Sequence, residues 1–158
     1  MRKIRIGNGY DVHRIAEGES LILGGVNVPH VRGTVAHSDG DVLVHALCDA
    51  LLGALALGDI GRHFPDNDPQ YENADSLRLL ARCMELVRDR GYEVGNADMM
   101  LLLERPKIKD YVPRMREKIA AVLGVSAEDV SVKATTGERM GFVGREEGVE
   151  ATAVVLLF

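Results

Sequence analysis

Asp11 and His13 stand two residues apart in the stretch GYDVHR. On a strand that spacing turns both side chains to one face. Downstream, the segment AHSDGDVLVHALCDALLGALALGD starts polar and then becomes almost wholly apolar. It keeps Asp41, His45 and Asp49 at four-residue intervals, which on a helix makes one polar stripe. Burying such a stripe is costly unless every group is paired. One reading is a hydrogen-bonded ladder along the helix, with His45 a satisfied core histidine. The other is a metal centre. Asp11, His13 and His45 supply one carboxylate and two imidazoles, a shell that suits zinc and leaves a fourth position open for chemistry. Asp49, one turn beyond His45, is then expected to accept the other ring N–H of His45 and fix its tautomer.

Two further polar groups could act on an anion. His37 and Ser38 precede the apolar helix, where free backbone N–H groups attract phosphate and His37 can steady an oxygen or move a proton. In KATTGERMGFVGREEG, Thr135 and Thr136 end a strand and offer hydroxyls. Glu138 is a suitable ligand for Mg²⁺ or Mn²⁺ when phosphates complete the shell. Arg145 can fork onto an anion. Gly141, Gly144 and Gly148 mark unusual backbone or close approach. The competing reading is a threonine-capped turn with a solvated glutamate.

The elements that must position these groups follow from periodicity. Lys3–Ile6 alternates and opens a strand towards Val12. LILGGVNVP reads as two short strands around Gly24-Gly25. A buried helix is expected over Asp39–Leu57, stopped by Gly58, and then a loop over 58–70. A second helix starts at Asp75 or Ser76, with Leu77, Leu80, Cys83, Met84 and Val87 on one face, and ends near Gly91. Glu93–Glu104 is a strand, and Asp110–Leu123 a third helix ended by Gly124. Val130, Val132 and Ala134 mark a half-buried strand. Gly148–Phe158 is apolar enough to be a strand covered on both faces. The sum is one domain over residues 1–158, an α/β or α+β arrangement of sheet and helix layers.

Composition limits the function. The chain has 158 residues and a net charge of −5, a weak basis for binding nucleic acid. Its apolar stretches fall short of the roughly 20 residues that span a membrane, so no membrane association is expected. Two cysteines, Cys48 and Cys83, stand far apart in helical patterns and read as reduced core residues. The basic start MRKIRI lacks an apolar run behind it, so neither a signal nor a transit peptide is expected and a cytoplasmic location is.

Four segments together resemble one family: GYDVHR, AHSDGDVLVHALCDALLGALALGDIGRHFPDNDP, the RPKI segment and KATTGERMGFVGREEG, in that order. The chain is similar along nearly its whole length to the 2-C-methyl-D-erythritol 2,4-cyclodiphosphate synthases of the non-mevalonate isoprenoid pathway. The resemblance implies conversion of 4-diphosphocytidyl-2-C-methyl-D-erythritol 2-phosphate to the cyclic diphosphate and CMP. The 2-phosphate attacks the β-phosphate of the same molecule. It implies zinc on Asp11, His13 and His45, orienting the β-phosphate, and a second divalent ion, Mg²⁺ or Mn²⁺, held by Glu138 across the diphosphate. His37 and Thr136 match residues that stabilise the transition state. Ser38, Asp59, Ile60, Gly61, Phe64, Pro65, Asp66, Asn67 and Asp68 match the part that holds the methylerythritol phosphate. The stretch Leu103 to Lys109, with Lys107 and Ile108 in it, and Thr135 match a cytidine pocket, with Lys107 near the diphosphate.

The resemblance also implies an α+β fold, a mixed β-sheet covered by helices, in a homotrimer with its sheets facing a central axis and its active sites between neighbouring subunits. Phe142 and Arg145 match residues lining a central cavity that takes isoprenoid diphosphates. Asn8 and Gly137 depart from the familiar pattern, and glycine at 137 is expected to loosen its turn. Three other readings remain open: a metal-dependent phosphohydrolase using water as nucleophile, a trimeric binding protein for isoprenoid diphosphates or CDP-alcohols without turnover, and a globular domain whose polar stripes are structural.

Overall fold

The helix that carries His45 lies directly on the strand that carries Asp11 and His13, because that strand has glycines where the helix crosses. A Cβ at Gly7 would stand 1.8 Å from the Ala50 carbonyl oxygen, and one at Gly9 1.8 Å from that of Ala46. In the computed structural model, which describes residues 3–158, the strand is β1 (Arg5–Glu17) and the helix α1 (Val42–Ala54). Met1 and Arg2 of the basic start lie outside the described residues.

The other elements are β2 (Ile22–Leu23), β3 (Val26–Asn27), β4 (Arg32–Val35), α2 (Ile60–His63), α3 (Ser76–Asp89), β5 (Val94–Leu102), α4 (Val112–Leu123), β6 (Val130–Thr135), α5 (Gly141–Gly144) and β7 (Gly148–Leu157). Five strands form a sheet in the order β4-β1-β7-β5-β6. Only β5 and β6 run parallel, joined through α4, so the sheet is mixed as expected. β2 and β3 pair around Gly24-Gly25, also as expected.

Local chemistry explains the helix ends. Asp41 caps α1, its side chain accepting the Val44 N–H, and Asp75 caps α3 through the Leu77 N–H. Pro113 sits in the first turn of α4, and Gly124 ends that helix at φ 76°. α1 is shorter than its apolar run. It stops at Ala54, and Leu57 N–H donates to Leu52 O while Ala56 takes φ 56°. The left-handed residue that turns the chain out is therefore Ala56, not Gly58. The segment over 58–70 is more than a loop: it winds into α2 and a 3₁₀ turn at Pro69–Tyr71.

All helices of the core lie on one side of the sheet. α1 packs on β1, β7 and β5, with α3 behind it and α4 beside α3 and β6. Val149, Ala151, Ala153, Val155 and Leu157 of β7 point into this core. The opposite face corrects the expectation that β7 is covered twice. Thr152 and Val154 are exposed there, with Ile6, Tyr10 and Val12 of β1 beside them. Phe158 adds another exposed ring.

Candidate active site

Asp11 and His13 leave β1 on the α1 side, and His45 comes down from α1 between them. Asp11 Oδ2 is 3.0 Å from His13 Nε2 and 3.1 Å from His45 Nδ1, and the two nitrogens are 3.2 Å apart. A tetrahedral zinc with bonds of ~2.0–2.1 Å holds its ligand atoms about 3.3 Å apart, so three corners of such a shell are present. Without a cation the set is self-opposed. If both rings donate to Asp11, two N–H groups crowd each other; if either does not, a lone pair faces the carboxylate. Burial pushes the Asp11 carboxyl up, but hydrogen bonds and charge from His13 and His45 outweigh it and hold it at about 2. His45 is 5% exposed; burial disfavours its charge, yet Asp11 raises its pKa overall.

The rest of the helical stripe does other work. Asp41 is fully buried and accepts the Gly24, Gly25 and Val44 N–H groups at 3.0, 2.7 and 3.1 Å, clasping the β2–β3 turn to the start of α1. Asp49 does not meet His45, contrary to the expectation from spacing. Its Oδ1 accepts the Ile60 N–H at 2.8 Å and anchors α2. The second ring nitrogen of His45 turns instead to Ser76 Oγ, at 2.8 Å, and to Ser38 Oγ, at 3.2 Å. Ser76 was not visible as a site residue in the sequence; its only mark there is its place at the start of α3.

Around this cluster the fold gathers the residues matched to the methylerythritol phosphate site. His37 Nε2 approaches Asp68 O at 3.4 Å, and Asp59 caps α2 by accepting the Arg62 N–H. Phe64 stacks edge-on against Tyr71, with ring centroids 5.4 Å apart. Thus His37, Ser38 and the 59–68 segment share the end of the sheet that holds Asp11 and His13.

A second cluster lies across the sheet. Leu103, Lys107, Ile108, Lys109, Thr135 and Thr136 line one groove of about 520 Å³. Glu104 and Pro106, inside the matched 103–109 stretch, and Val112, Pro113, Val132 and Ala134, outside it, complete the groove. Beyond the groove the chain turns through Glu138 at φ 53° and Arg139 at φ 62°, both left-handed without being glycine. Gly137 does not loosen this turn. A Cβ there would stand 2.8 Å from Gly144 N and 2.9 Å from Met140 O, so close packing requires glycine. A Cβ at Gly144 would likewise stand 2.2 Å from the Arg139 carbonyl carbon. Arg145 is engaged by Glu147, Nε donating to Oε1 at 2.8 Å. The Phe142 ring lies against Gly148. Asn8 sits on the open sheet face, away from Asp11, His13 and His45.

Register sets the distance between the clusters. Asp11 pairs with Ala151, Ala151 with Leu101 and Leu101 with Ala134, one row across the sheet. Thr135 and His13 therefore stand at the same end of it. Three inter-strand steps separate β1 from β6, about 14 Å at 4.7–4.9 Å each.

Comparison with known proteins agrees with the arrangement. The family model described as the YgbB family matches residues 4–158. The chain is 58% identical over 157 residues to the 2-C-methyl-D-erythritol 2,4-cyclodiphosphate synthase of Thioalkalivibrio sulfidiphilus, covering 99% of this chain and 98% of that one. It is 59% identical over 154 residues to the synthase of Ectopseudomonas mendocina, at 98% of each. A solved 2C-methyl-D-erythritol-2,4-cyclodiphosphate synthase superposes with a TM-score of 0.90 at 40% identity, over 98% of this chain and all of that one. A CDP-bound form of such a synthase gives 0.90 at 39% identity, with the same coverage. With its Asp-His-His centre and its sheet order in place over the same length, this chain belongs to the YgbB family, the 2-C-methyl-D-erythritol 2,4-cyclodiphosphate synthases.

Proposed function

We propose that the chain, acting as one catalytic domain over residues 1–158, converts 4-diphosphocytidyl-2-C-methyl-D-erythritol 2-phosphate to 2-C-methyl-D-erythritol 2,4-cyclodiphosphate and CMP. It is a lyase of non-mevalonate isoprenoid synthesis, and its full-length relatives are by name 2-C-methyl-D-erythritol 2,4-cyclodiphosphate synthases. The observation that carries the reading is the convergence of Asp11, His13 and His45 to within 3.2 Å in a chain so close to those enzymes.

An oxygen of the 2-phosphate attacks the β-phosphorus. The bond from that phosphorus to the α–β bridging oxygen breaks, and CMP leaves with the bridging oxygen. Nucleophile and electrophile belong to one molecule, so the protein's task is to fold the substrate and to neutralise charge. Zinc on Asp11, His13 and His45 would supply Lewis-acid polarisation at the β-phosphate, and Mg²⁺ or Mn²⁺ on Glu138 would offset charge on the diphosphate. His37 and the Thr136 hydroxyl donate to phosphate oxygens as charge moves to the leaving group. Ser38 with Asp59, Ile60, Gly61 and the 64–68 segment hold the methylerythritol phosphate. The groove beside Leu103, Ile108 and Lys109 takes the cytidine, with Thr135 at its edge and Lys107 near the diphosphate.

About 14 Å between the two clusters is too long for a single diphosphate to span. We therefore read each active site as shared: the metal cluster of one subunit meets the groove and Glu138 of a neighbour. The open sheet face, with Ile6, Val12, Val154 and Phe158 exposed, is the surface a homotrimer would bury around its axis. Phe142 and Arg145 would then line a central cavity able to take an isoprenoid diphosphate. Two reduced, buried cysteines fit a cytoplasmic enzyme.

Incubation with the substrate and Mg²⁺, followed by phosphorus NMR, tests the function. The cyclic diphosphate should appear in step with CMP. Release of inorganic phosphate instead would mean a phosphohydrolase, and an unchanged spectrum a binding protein.

A further inference from the structure

The wall behind His45 is built as carefully as the metal-facing side. Ser76 is fully buried at the start of α3, with its Oγ 2.8 Å from His45 Nε2. The same hydroxyl donates its proton to Asp39 Oδ1. Asp39 is pinned in turn. Its Oδ2 accepts the Ser76 N–H at 2.9 Å, its Oδ1 accepts the Asp41 N–H at 3.1 Å, and its own N–H donates to Ala74 O at 3.1 Å.

The proton directions follow from the chemistry of the end group. An ionised carboxylate only accepts. The Ser76 hydroxyl proton is therefore committed to Asp39, and the oxygen can only accept from His45. That requires the proton of the neutral imidazole on Nε2. Nδ1 must then present its lone pair, and Nδ1 is the atom 3.1 Å from Asp11 Oδ2 and 3.2 Å from His13 Nε2. Ser38 Oγ, 3.2 Å from the same Nε2, accepts the Gly40 N–H at 3.3 Å and has no such anchor, leaving its own proton free to turn.

We propose that Ser76 and Asp39 are positioning residues that lock His45 in the Nε2–H tautomer and so pre-form the Nδ1 ligand of the metal centre. The proposal rests on zinc binding by Asp11, His13 and His45, and it gives to Ser76 and Asp39 the role that helical spacing had suggested for Asp49. It also couples two parts of the fold. The seat of α3 on the loop before α1 sets the orientation of a ligand on α1. Outer partners of this kind change metal affinity by about 10- to 100-fold when removed.

The test measures zinc affinity by competition with a chromophoric chelator, on the full chain, with His45→Ala as the reference for a lost ligand. Ser76→Ala removes one oxygen at a position already within the helix. Asp39→Asn keeps the shape but can present an amide N–H₂ to Ser76. Each should weaken zinc binding by about 10- to 100-fold. The double variant should be no weaker than the poorer single one, because both break the same chain of bonds. Ser76→Thr restores the hydroxyl and should recover affinity. In ¹⁵N-labelled, zinc-loaded protein the His45 Nε2–H proton should be protected from exchange, and Ser76→Ala should abolish that protection. A purely structural role would lower the melting temperature of the metal-free variants and leave zinc affinity unchanged, which would overturn the proposal. So would wild-type affinity in both single variants while His45→Ala loses zinc, and the metal reading would then survive alone. Equal zinc binding by wild type and His45→Ala would refute both.

Discussion

Glu104 holds the turn that carries Glu138. Its Oε2 accepts the Gly137 N–H at 2.8 Å and its Oε1 the Arg139 N–H at 3.2 Å. The turn it holds contains two consecutive left-handed residues, Glu138 and Arg139. Each costs about 1 kcal/mol for a non-glycine residue. A hydrogen bond to a carboxylate returns about 1.5 kcal/mol at the low end, which suits so exposed a turn. Two bonds against two strained residues leave the turn favoured by about 1 kcal/mol, or ~85% populated. Without the clamp it is disfavoured by about 2 kcal/mol and ~3% populated.

Affinity for a ligand that needs this turn falls in proportion, so Glu104→Ala should weaken CDP binding by about 25-fold in calorimetry. Glu104→Gln keeps one acceptor and should lose only about 3-fold. The decisive variant adds Arg139→Gly to Glu104→Ala. Glycine removes one strain cost, so affinity should recover by about 5-fold although a cationic side chain has been lost. If Glu104→Ala binds CDP within 2-fold or so of wild type, or if Arg139→Gly in its background restores nothing, the clamp-against-strain argument fails.

Asp41 gives a pH test. Burial, opposed by three backbone N–H bonds, raises its pKa from 3.8 to about 6. A raised carboxyl pKa means the folded state holds the proton longer, so this group's contribution to stability falls as pH rises from about 4 to 6, by about 3 kcal/mol. The stability gap between wild type and Asp41→Asn should narrow over that range in urea titrations, and a widening gap would show a carboxylate held ionised. Gly9→Ala places a Cβ against the Ala46 carbonyl and should cost about 3 kcal/mol, or ~10 °C of melting temperature, with zinc affinity reduced as α1 lifts from β1. An unchanged melt would mean α1 can slide without penalty. Val154→Glu puts a charge on the open sheet face; if that face is a subunit interface, the variant should keep zinc affinity but sediment as a monomer and lose most of its activity. A fully active trimer carrying that charge would remove the shared-site reading.

The cluster of Asp11, His13 and His45 was legible because two simple periods meet at it. Alternation on β1 puts Asp11 and His13 on one face, and a lone histidine in an apolar helix needs a partner. The helical stripe misled for a geometric reason. Four residues turn an α-helix by 400°, so each step of the stripe drifts by about 40°, and Asp49 lies about 80° round from Asp41. Asp41 is also the cap, outside the helix proper. Only His45 is aimed at β1, and its neighbours in the stripe serve the β2–β3 turn and α2. Ser76 and Asp39 were hidden because the bonds that tie them to His45 span the chain, 31 residues from His45 to Ser76 and 37 from Ser76 to Asp39, and neither residue type is rare where it stands. Ala56 was hidden because glycine two residues later looked like the better stop.

The last strand went wrong in a more instructive way. β7 is apolar along most of its length, with Val154 and Leu156 on its outer face beside Glu150 and Thr152, and a strand covered on both faces is the ordinary explanation for so apolar a run. Among the described residues, α1, α3 and α4 cover one face and lie on the other side of the sheet from Thr152 and Val154. A sequence records that a face is to be buried without recording by what. The same strand lies between the two halves of the site, since β7 and β5 separate β1 from β6. Burying its open face against other subunits would satisfy the apolar residues and bring a neighbour's Glu138 turn to the metal ligands in one step. The expectation about β7 then fails for the isolated chain for the same reason that the isolated chain leaves its two clusters apart.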